Sequence, residues 1–201
     1  MFEHCRAFVI ANNSYESRAL ELTAEQLGFG DVVSSYSGVE FGHSRTAITY
    51  FLLDYRMNDE SLLGFIDAVR DERGARLCFS PMILFTDDCP LETMLKYVRF
   101  GFDEVIGLPE RRDVLEARLM AQLNTEQIYV EANNYLGPDR RRMDSGAELR
   151  IGASAHARVV FRRDPERGVH ILSREQRGHH FKPQPDPGAH FMPRLFGGHA
   201  S

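Results

Sequence analysis

Three polar positions in the sequence follow short apolar runs, and their residue types suit phosphoryl-transfer chemistry. Asn12 and Asn13 come after the run at residues 6–11, Asp54 ends a second run, and Thr86 ends a third. An aspartate that accepts a phosphoryl group needs a divalent cation to neutralise charge, and a hydroxyl and usually a lysine to hold the product's oxygens. The sequence therefore makes Asp54 a candidate phosphoacceptor and Thr86 a candidate partner hydroxyl.

The elements that carry these residues alternate along the chain. Short apolar segments and amphipathic helical stripes follow one another in the order βαβαβαβαβα, and the last helix is predicted from Pro109 to about Val130. Strands that are apolar on both faces and separated by helices predict a parallel sheet covered on each side. Sites in such sheets lie at the carboxyl ends of the strands, where we expect the polar positions to meet beside Leu108 and Pro109.

The second part of the chain has a different composition. Residues 1–130 hold 21 acidic and 12 basic residues, a net charge of −9, whereas residues 131–201 hold 8 acidic and 12 basic residues, a net charge of +4. Apolar periodicity fades after residue 131, and Arg, His, Gly and Pro become frequent. We therefore predict a folded domain over residues 1–130 and a largely irregular tail over 131–201, with a short hairpin at 157–172.

Several classes of protein are disfavoured by the sequence. No apolar run approaches the ~20 residues that cross a bilayer, the amino-terminal residues do not form a secretory signal, and the three scattered cysteines form no disulfide or zinc pattern. We expect a cytoplasmic protein that does not enter the membrane. Because motifs for hydrolysis, nucleotide binding and zinc catalysis are missing, we expect no enzyme. Without a helix-turn-helix pattern, the arginine run at residues 140–142 does not predict specific DNA binding.

Five segments, in order, resemble the response-regulator receiver family. That family carries an acidic pair, an aspartate, a Ser or Thr, and a Lys-Pro pair after strands one, three, four and five. Residues 54–57 resemble its Asp-x-x-Met-Pro turn, and residues 101–109 resemble its Gly-Ala-Asp-Asp-Tyr-Leu-x-Lys-Pro segment. The resemblance covers about two thirds of the chain. It implies an α/β fold, a doubly wound five-stranded parallel sheet of the flavodoxin-like (βα)5 receiver type.

The departures from the family pattern weaken the implied chemistry. Asn12 and Asn13 replace two carboxylates, and Leu108 replaces the lysine before Pro109. Mg²⁺ is normally held by carboxylates. The resemblance therefore implies no required cofactor and at most weak Mg²⁺ binding, by Asp54 and the backbone carbonyl of Arg56. It makes Thr86 the switch hydroxyl and leaves phosphorylation of Asp54 weak or absent.

The resemblance implies a protein of two-component phosphorelay signalling that acts through contacts with a histidine kinase or a downstream target. Two alternatives remain: a conventional regulator phosphorylated at Asp54, and a nucleic-acid-binding output protein that uses the basic tail. The residues also have simpler interpretations. Asp54 can be a solvated strand-end carboxylate, Thr86 a helix cap, and Asn12 and Asn13 ordinary turn residues.

The resemblance also implies a dimer. Family members that dimerise through their last two helices pair acidic residues before strand five with an arginine on the last helix, and Lys96, Asp103, Glu104 and Arg118 occupy matching positions. We therefore consider a homodimer through this face. The alternative is that these are ordinary surface charges, whose pairs contribute only about 0–1 kcal/mol each.

Overall fold

The computed structural model describes residues 2–35, 46–71, 74–132, 135–139 and 156–177. Strands and helices in this part of the chain follow one another in this order: β1 (Cys5–Ile10), α1 (Ser14–Leu27), β2 (Asp31–Ser34), β3 (Ile48–Asp54), α2 (Asp59–Arg70), α3 (Ala75–Cys78), β4 (Met82–Asp87), α4 (Leu91–Phe100), β5 (Glu104–Leu108), α5 (Arg112–Met120), β6 (Glu126–Ala132), β7 (Tyr135–Pro138), β8 (His156–Asp164) and β9 (Gly168–Arg177).

The first five strands form one parallel sheet in the order β2-β1-β3-β4-β5. All residues of β1 and β3 are buried, as expected for apolar strands at the centre of a sheet with both faces covered. Side chains of α1 and α5 pack on one face, and side chains of α2 and α4 pack on the other. This strand order with helices on both faces is the flavodoxin-like arrangement that the sequence predicts.

Helix α1 shows how local sequence sets the ends of an element. The side chain of Asn13 accepts hydrogen bonds from the backbone N–H groups of Tyr15 and Glu16, so it caps the amino terminus. Gly28 ends the helix in the left-handed region at φ 82°, which glycine adopts without steric cost. These caps fix where α1 begins, immediately after the carboxyl end of β1.

The later strands form a second, antiparallel sheet in the order β7-β6-β8-β9. Strands β8 and β9 pair from Asp164↔Gly168 outward as a hairpin, in the region where the sequence predicts one at residues 157–172. The described part of residues 131–201 is more regular than the predicted tail, because β6 and β7 join this hairpin. The domain boundary at residue 130 stays a prediction, although β6 runs across it.

The last helix is shorter than the sequence predicts. It was expected to reach about Val130, but it ends at Met120. Asn124 follows with a positive φ of 55°, and its N–H donates to the carbonyl of Arg163 on β8 at 2.8 Å. The chain turns there because the β-branched and aromatic residues that follow are paired and buried in the second sheet.

The two sheets share a hydrophobic contact. Phe79, which follows α3, packs against Tyr129 of β6 and Phe161 of β8, with ring centroids 5.6 Å and 4.6 Å away. Cys78 and Val159 complete this buried cluster. Among the described residues, none of the helices has both the length and the apolar character needed to cross a lipid bilayer.

Candidate functional site

Asp54 lies where the sequence predicts it, at the carboxyl end of β3. Strand β3 pairs with β1 on one side and β4 on the other, so the ends of these three strands form one edge of the sheet. The residue is only 6% exposed. Asp54 is therefore a buried strand-end carboxylate and not a solvated one.

Both oxygens of the Asp54 carboxylate are bound by Arg56. The backbone N–H of Arg56 donates to Oδ1 at 2.8 Å, and Nη1 of its guanidinium donates to Oδ2 at 3.2 Å. The sequence singled out only the backbone carbonyl of Arg56. Its side chain is the cation nearest to Asp54 in the described part of the chain, and no spacing rule indicated which way it would point.

Two further carboxylates face the same guanidinium. Nη1 of Arg56 lies 3.6 Å from Oε1 of Glu16, and Nη2 lies 3.4 Å from Oδ1 of Asp87. Glu16 stands in the first turn of α1 and Asp87 ends β4, so three elements and one turn converge on this cation. Sequence reasoning missed Glu16 and Asp87 as members of the site. The observable signal was that Asp87 ends a strand at this edge and Glu16 lies in the first turn of the helix that follows another such strand.

Tyr55 covers the outer side of the cluster. The Arg56 guanidinium carbon lies 5.5 Å from the centroid of the Tyr55 ring, a cation–π distance. The Tyr55 hydroxyl donates a hydrogen bond to Asp87, and this bond raises the pKa of Tyr55. Together Tyr55 and Asp87 restrict the positions that the Arg56 side chain can take.

The environment shifts the pKa of Asp54 upward. Burial is the largest cause, and the nearby charges of Glu16 and Asp87 add to it. The Arg56 backbone hydrogen bond and guanidinium charge act in the opposite direction without cancelling the burial. The same carboxylate, in turn, raises the pKa of Arg56. The site thus consists of the carboxylates of Asp54, Glu16 and Asp87, each within 3.6 Å of the permanently charged Arg56 guanidinium.

The predicted acidic-pair positions have different roles in the structure. Asn13 caps α1, with both of its hydrogen bonds at 3.0 Å, while Asn12 is exposed. The turn-residue interpretation therefore accounts for the side chain of Asn13. Because the cap orients the first turn of α1, Asn13 also helps to place Glu16 opposite Arg56.

Thr86 is buried at the end of β4, as the sequence predicts. Its hydroxyl donates to the carbonyl oxygen of Asp87 at 3.1 Å, with Sγ of Cys89 3.6 Å away, so its one O–H donor is used in the segment after β4. Leu108 ends β5 beside Asp87, and Pro109 follows it. Both line a cavity of about 450 Å³ between α1 and α5. An apolar side chain stands where the resemblance would place a lysine.

A Mg²⁺ ion, which the receiver resemblance implies, does not fit these residues well. In residues 2–35, 46–71, 74–132, 135–139 and 156–177, no three His, Cys, Asp or Glu side chains are grouped as a metal would require. The carboxylates nearest to Asp54 are instead arranged around the guanidinium of Arg56. The predicted role of the Arg56 carbonyl as a weak metal ligand stays a prediction.

The residues of the predicted dimer face make contacts within the chain. Asp103 is buried, with its side chain 3% exposed, and its place on a dimer face stays a prediction. Its carboxylate is held by Arg70 and Arg163, two contacts that no sequence motif predicts. Glu104 forms an ion pair with Arg118 of the same chain. Lys96 forms one with Asp59 at 2.5 Å.

No protein-family model matches the chain, and no curated protein matches it either. Solved structures, in contrast, do match part of the chain. The chemotaxis protein CheY4 of Vibrio cholerae aligns at a TM-score of 0.45 and 17% identity, covering 58% of this chain and 96% of that one. The signal receiver domain of a histidine kinase from Clostridium thermocellum aligns at 0.44 and 15%, covering 58% and 94%.

A third solved structure was determined with a bound metal ion. The receiver domain of a sensor histidine kinase from Pseudomonas aeruginosa, with magnesium in its active-site cleft, aligns at a TM-score of 0.44 and 16% identity, covering 57% of this chain and 93% of that one. In this chain, residues 5–120 form a doubly wound, flavodoxin-like fold, with the strand order β2-β1-β3-β4-β5 and helices on both faces.

Proposed function

We propose that this chain is an atypical receiver protein of two-component signal transduction. It acts in the cytoplasm as a non-enzymatic module, through contacts with a histidine kinase or a downstream target. It requires no cofactor, and phosphorylation of Asp54 is weak or absent. The observation that carries the proposal is the double contact of Arg56 with Asp54, one bond to each carboxylate oxygen.

Phosphorylation of Asp54 needs an unhindered oxygen and a cation that bridges it to the phosphoryl donor. Here each oxygen already accepts a hydrogen bond, and the nearby cation is covalently part of the chain. The Arg56 guanidinium must leave Glu16 and Asp87 as well as Asp54 before a donor can approach. We therefore propose that the pocket is held in one state by its own arginine.

The conventional alternative, an Asp54-phosphorylated regulator, rests on the position of Asp54 at the strand end. The two hypotheses differ in whether a small phosphodonor transfers its phosphoryl group to Asp54. The full chain is incubated with acetyl phosphate and Mg²⁺, and its intact mass is measured over time. We expect no stoichiometric gain of a phosphoryl group. A stoichiometric gain that is lost in Asp54→Ala would establish the conventional function instead.

A matched pair of variants tests the role of Arg56 in the same assay. Arg56→Ala removes the guanidinium but keeps the backbone N–H, so we expect faster labelling of Asp54 than in the wild type. Arg111→Ala removes a guanidinium from the exposed pair with Asp113 and is expected to change nothing. Equal labelling in the two variants would show that Arg56 does not close the pocket.

The nucleic-acid alternative is supported less by the described residues. The arginine run at residues 140–142 lies outside them. On β8 and β9, Arg162 lies 3.7 Å from Glu126 and Arg174 lies 3.2 Å from Glu131, while Arg163 is buried. These side chains are partly neutralised, so they do not form an open basic surface of the kind that binds phosphates.

A further inference from the structure

A buried charged cluster lies between the two sheets, away from Asp54. It consists of Asp103 in the α4–β5 loop, Arg70 at the end of α2, Arg163 on β8 and Tyr129 on β6. The side chain of Arg163 is fully buried, and those of Arg70 and Asp103 are 4% and 3% exposed. The cluster holds two guanidinium groups and one carboxylate, so its members depend on one another for charge compensation.

Arg163 makes four hydrogen bonds, three to residues that precede β6 and one to Tyr129 of β6. Its Nη2 donates to Oδ1 of Asp103 at 2.8 Å and to the hydroxyl oxygen of Tyr129 at 2.7 Å. Its Nη1 donates to Gln122 at 2.8 Å, and its Nε donates to the carbonyl of Phe79 at 2.7 Å. The guanidinium of one β8 residue therefore fits into a site built by the segments that precede β4 and β5, the segment after α5, and β6.

Asp103, which binds Arg163, also contacts the first sheet at the point where two of its strands begin. Its Oδ2 accepts the backbone N–H of Met82 at 2.8 Å, and its own N–H donates to the carbonyl of Met82 at 2.9 Å. Because Met82 begins β4 and Asp103 immediately precedes β5, the carboxylate fixes the amino-terminal ends of both strands. Arg70 binds the same Oδ2 at 3.0 Å.

The pKa of Asp103 reports the balance in this cluster. Burial raises it, but the charges of Arg163 and Arg70 outweigh burial and leave the pKa below its usual range. The Asp103 carboxylate is therefore ionised, and both of its oxygens accept hydrogen bonds from described residues. A rearrangement that moved Asp103 while β8 stayed in place would leave Arg163 buried without its counter-charge, which is strongly unfavourable.

We infer that the docked second sheet holds the α4–β5 segment, residues 101–103, in one arrangement, and that it does so through Arg163. We call this restraint the lock. The α4–β5 segment keeps one arrangement while β8 is docked, and it gains freedom when β8 is released. The lock does not depend on the chemistry at Asp54, because the cluster and the Arg56 pocket lie at opposite ends of the parallel strands. An event that displaces β6–β9 would therefore release the α4–β5 segment and change the surface that this segment forms.

Hydrogen exchange on the full chain tests the lock. Arg163→Met keeps a long side chain without the charge, and Arg162→Met changes the neighbouring exposed arginine as a matched control. In Arg163→Met we expect exchange to be at least about tenfold faster in peptides covering residues 79–86 and 100–106. In Arg162→Met we expect no change there. Peptides covering β1 report global stability and should stay protected in both variants.

Faster exchange confined to residues 126–177 in Arg163→Met, with residues 79–86 and 100–106 unchanged, would overturn the inference. If Arg163→Met does not fold, Tyr129→Phe removes one hydroxyl from the cluster and keeps the ring. We expect a smaller increase in the same two peptides, and no increase would again overturn the lock. Asp54→Ala should leave these peptides unchanged, so failure of the lock and failure of the proposed function give different results.

Discussion

The guanidinium of Arg56 neutralises a carboxylate only two residues before it, with Nη1 of Arg56 at 3.2 Å from Oδ2 of Asp54. Such a local contact forms with the turn after β3 and closes almost no loop, so its cost in conformational entropy is small. A metal ion would have to come from outside. The Arg56 charge is instead placed beside Asp54 as a consequence of folding, and it offsets one of the three carboxylates of Asp54, Glu16 and Asp87.

The two asparagines after β1 should differ in their contribution to stability. Replacing Asn13 by Ala removes the cap of α1, and we expect the free energy of unfolding to fall by about 1 kcal/mol. Asn12→Ala, at an exposed position, should change it by less than about 0.5 kcal/mol. Urea unfolding curves measure both values. A larger loss for Asn12 than for Asn13 would contradict the capping role.

The raised pKa of Asp54 predicts a pH-dependent stability. When the folded-state pKa of an acid lies above its unfolded value, the folded state is penalised at pH values above both. The penalty shrinks as the pH falls through the folded pKa and vanishes below the unfolded pKa. Asp54→Asn should therefore be more stable than the wild type at pH 7, and the difference should narrow on acidification.

Thermal unfolding between pH 7 and pH 3 measures this difference. The exposed Asp88→Asn provides the matched control, with an expected effect within about 0.5 kcal/mol at every pH. An Asp54→Asn variant that is less stable than the wild type at pH 7 would show that the ion pair with Arg56 outweighs the burial of Asp54.

Asp103 should have the opposite pH dependence and a larger effect. Its lowered pKa stabilises the fold above the unfolded value, and this stabilisation is lost as the pH falls through the folded pKa. Asp103→Asn leaves two buried guanidinium groups without a counter-charge, so we expect a loss of about 3–5 kcal/mol at pH 7. Urea unfolding at pH 7 and at acid pH measures both effects.

An exposed carboxylate serves as the control for Asp103. Asp113, whose side chain is 64% exposed, pairs with Arg111 at the surface. Asp113→Asn should change stability by less than about 0.5 kcal/mol. If Asp103→Asn were no more destabilising than Asp113→Asn, the buried cluster would not contribute to the fold.

The intrachain pairs also bear on the oligomeric state. Of the residues that predict a homodimer, Asp103 is buried and Glu104 already binds Arg118. We therefore expect the full chain to be monomeric in solution, as measured by light scattering after gel filtration. A dimer that Arg118→Ala dissociates, while the exposed Arg112→Ala does not, would show that this face pairs between molecules.

The receiver part of the fold could be predicted because its signals are local. The buried strands β1, β3 and β4 are continuous apolar runs, and Asp54 and Thr86 end two of them, so their positions follow from the alternation of strands and helices. The end of α5 was missed since the amphipathic pattern continues past Met120, and only the long-range pairing of β6 with β8 converts residues 126–132 to a strand.

The arrangement of charges could not be predicted in the same way. Arg56 lies in a turn and Asp103 in a loop, and nothing in their spacing shows where a long side chain points or what buries it. The partner of Asp103 lies 60 residues later in the chain. Such pairings depend on tertiary packing, which one sequence without a structure does not specify.

The separation between Asp103 and Arg163 has a consequence for the order of synthesis. The whole parallel sheet leaves the ribosome before β8 is made, so Asp103 and Arg70 must first meet without the second guanidinium. Contacts of such long sequence separation form late and slowly. During synthesis the contacts of Asp103 thus stay incomplete until Arg163, 60 residues later in the chain, has been made.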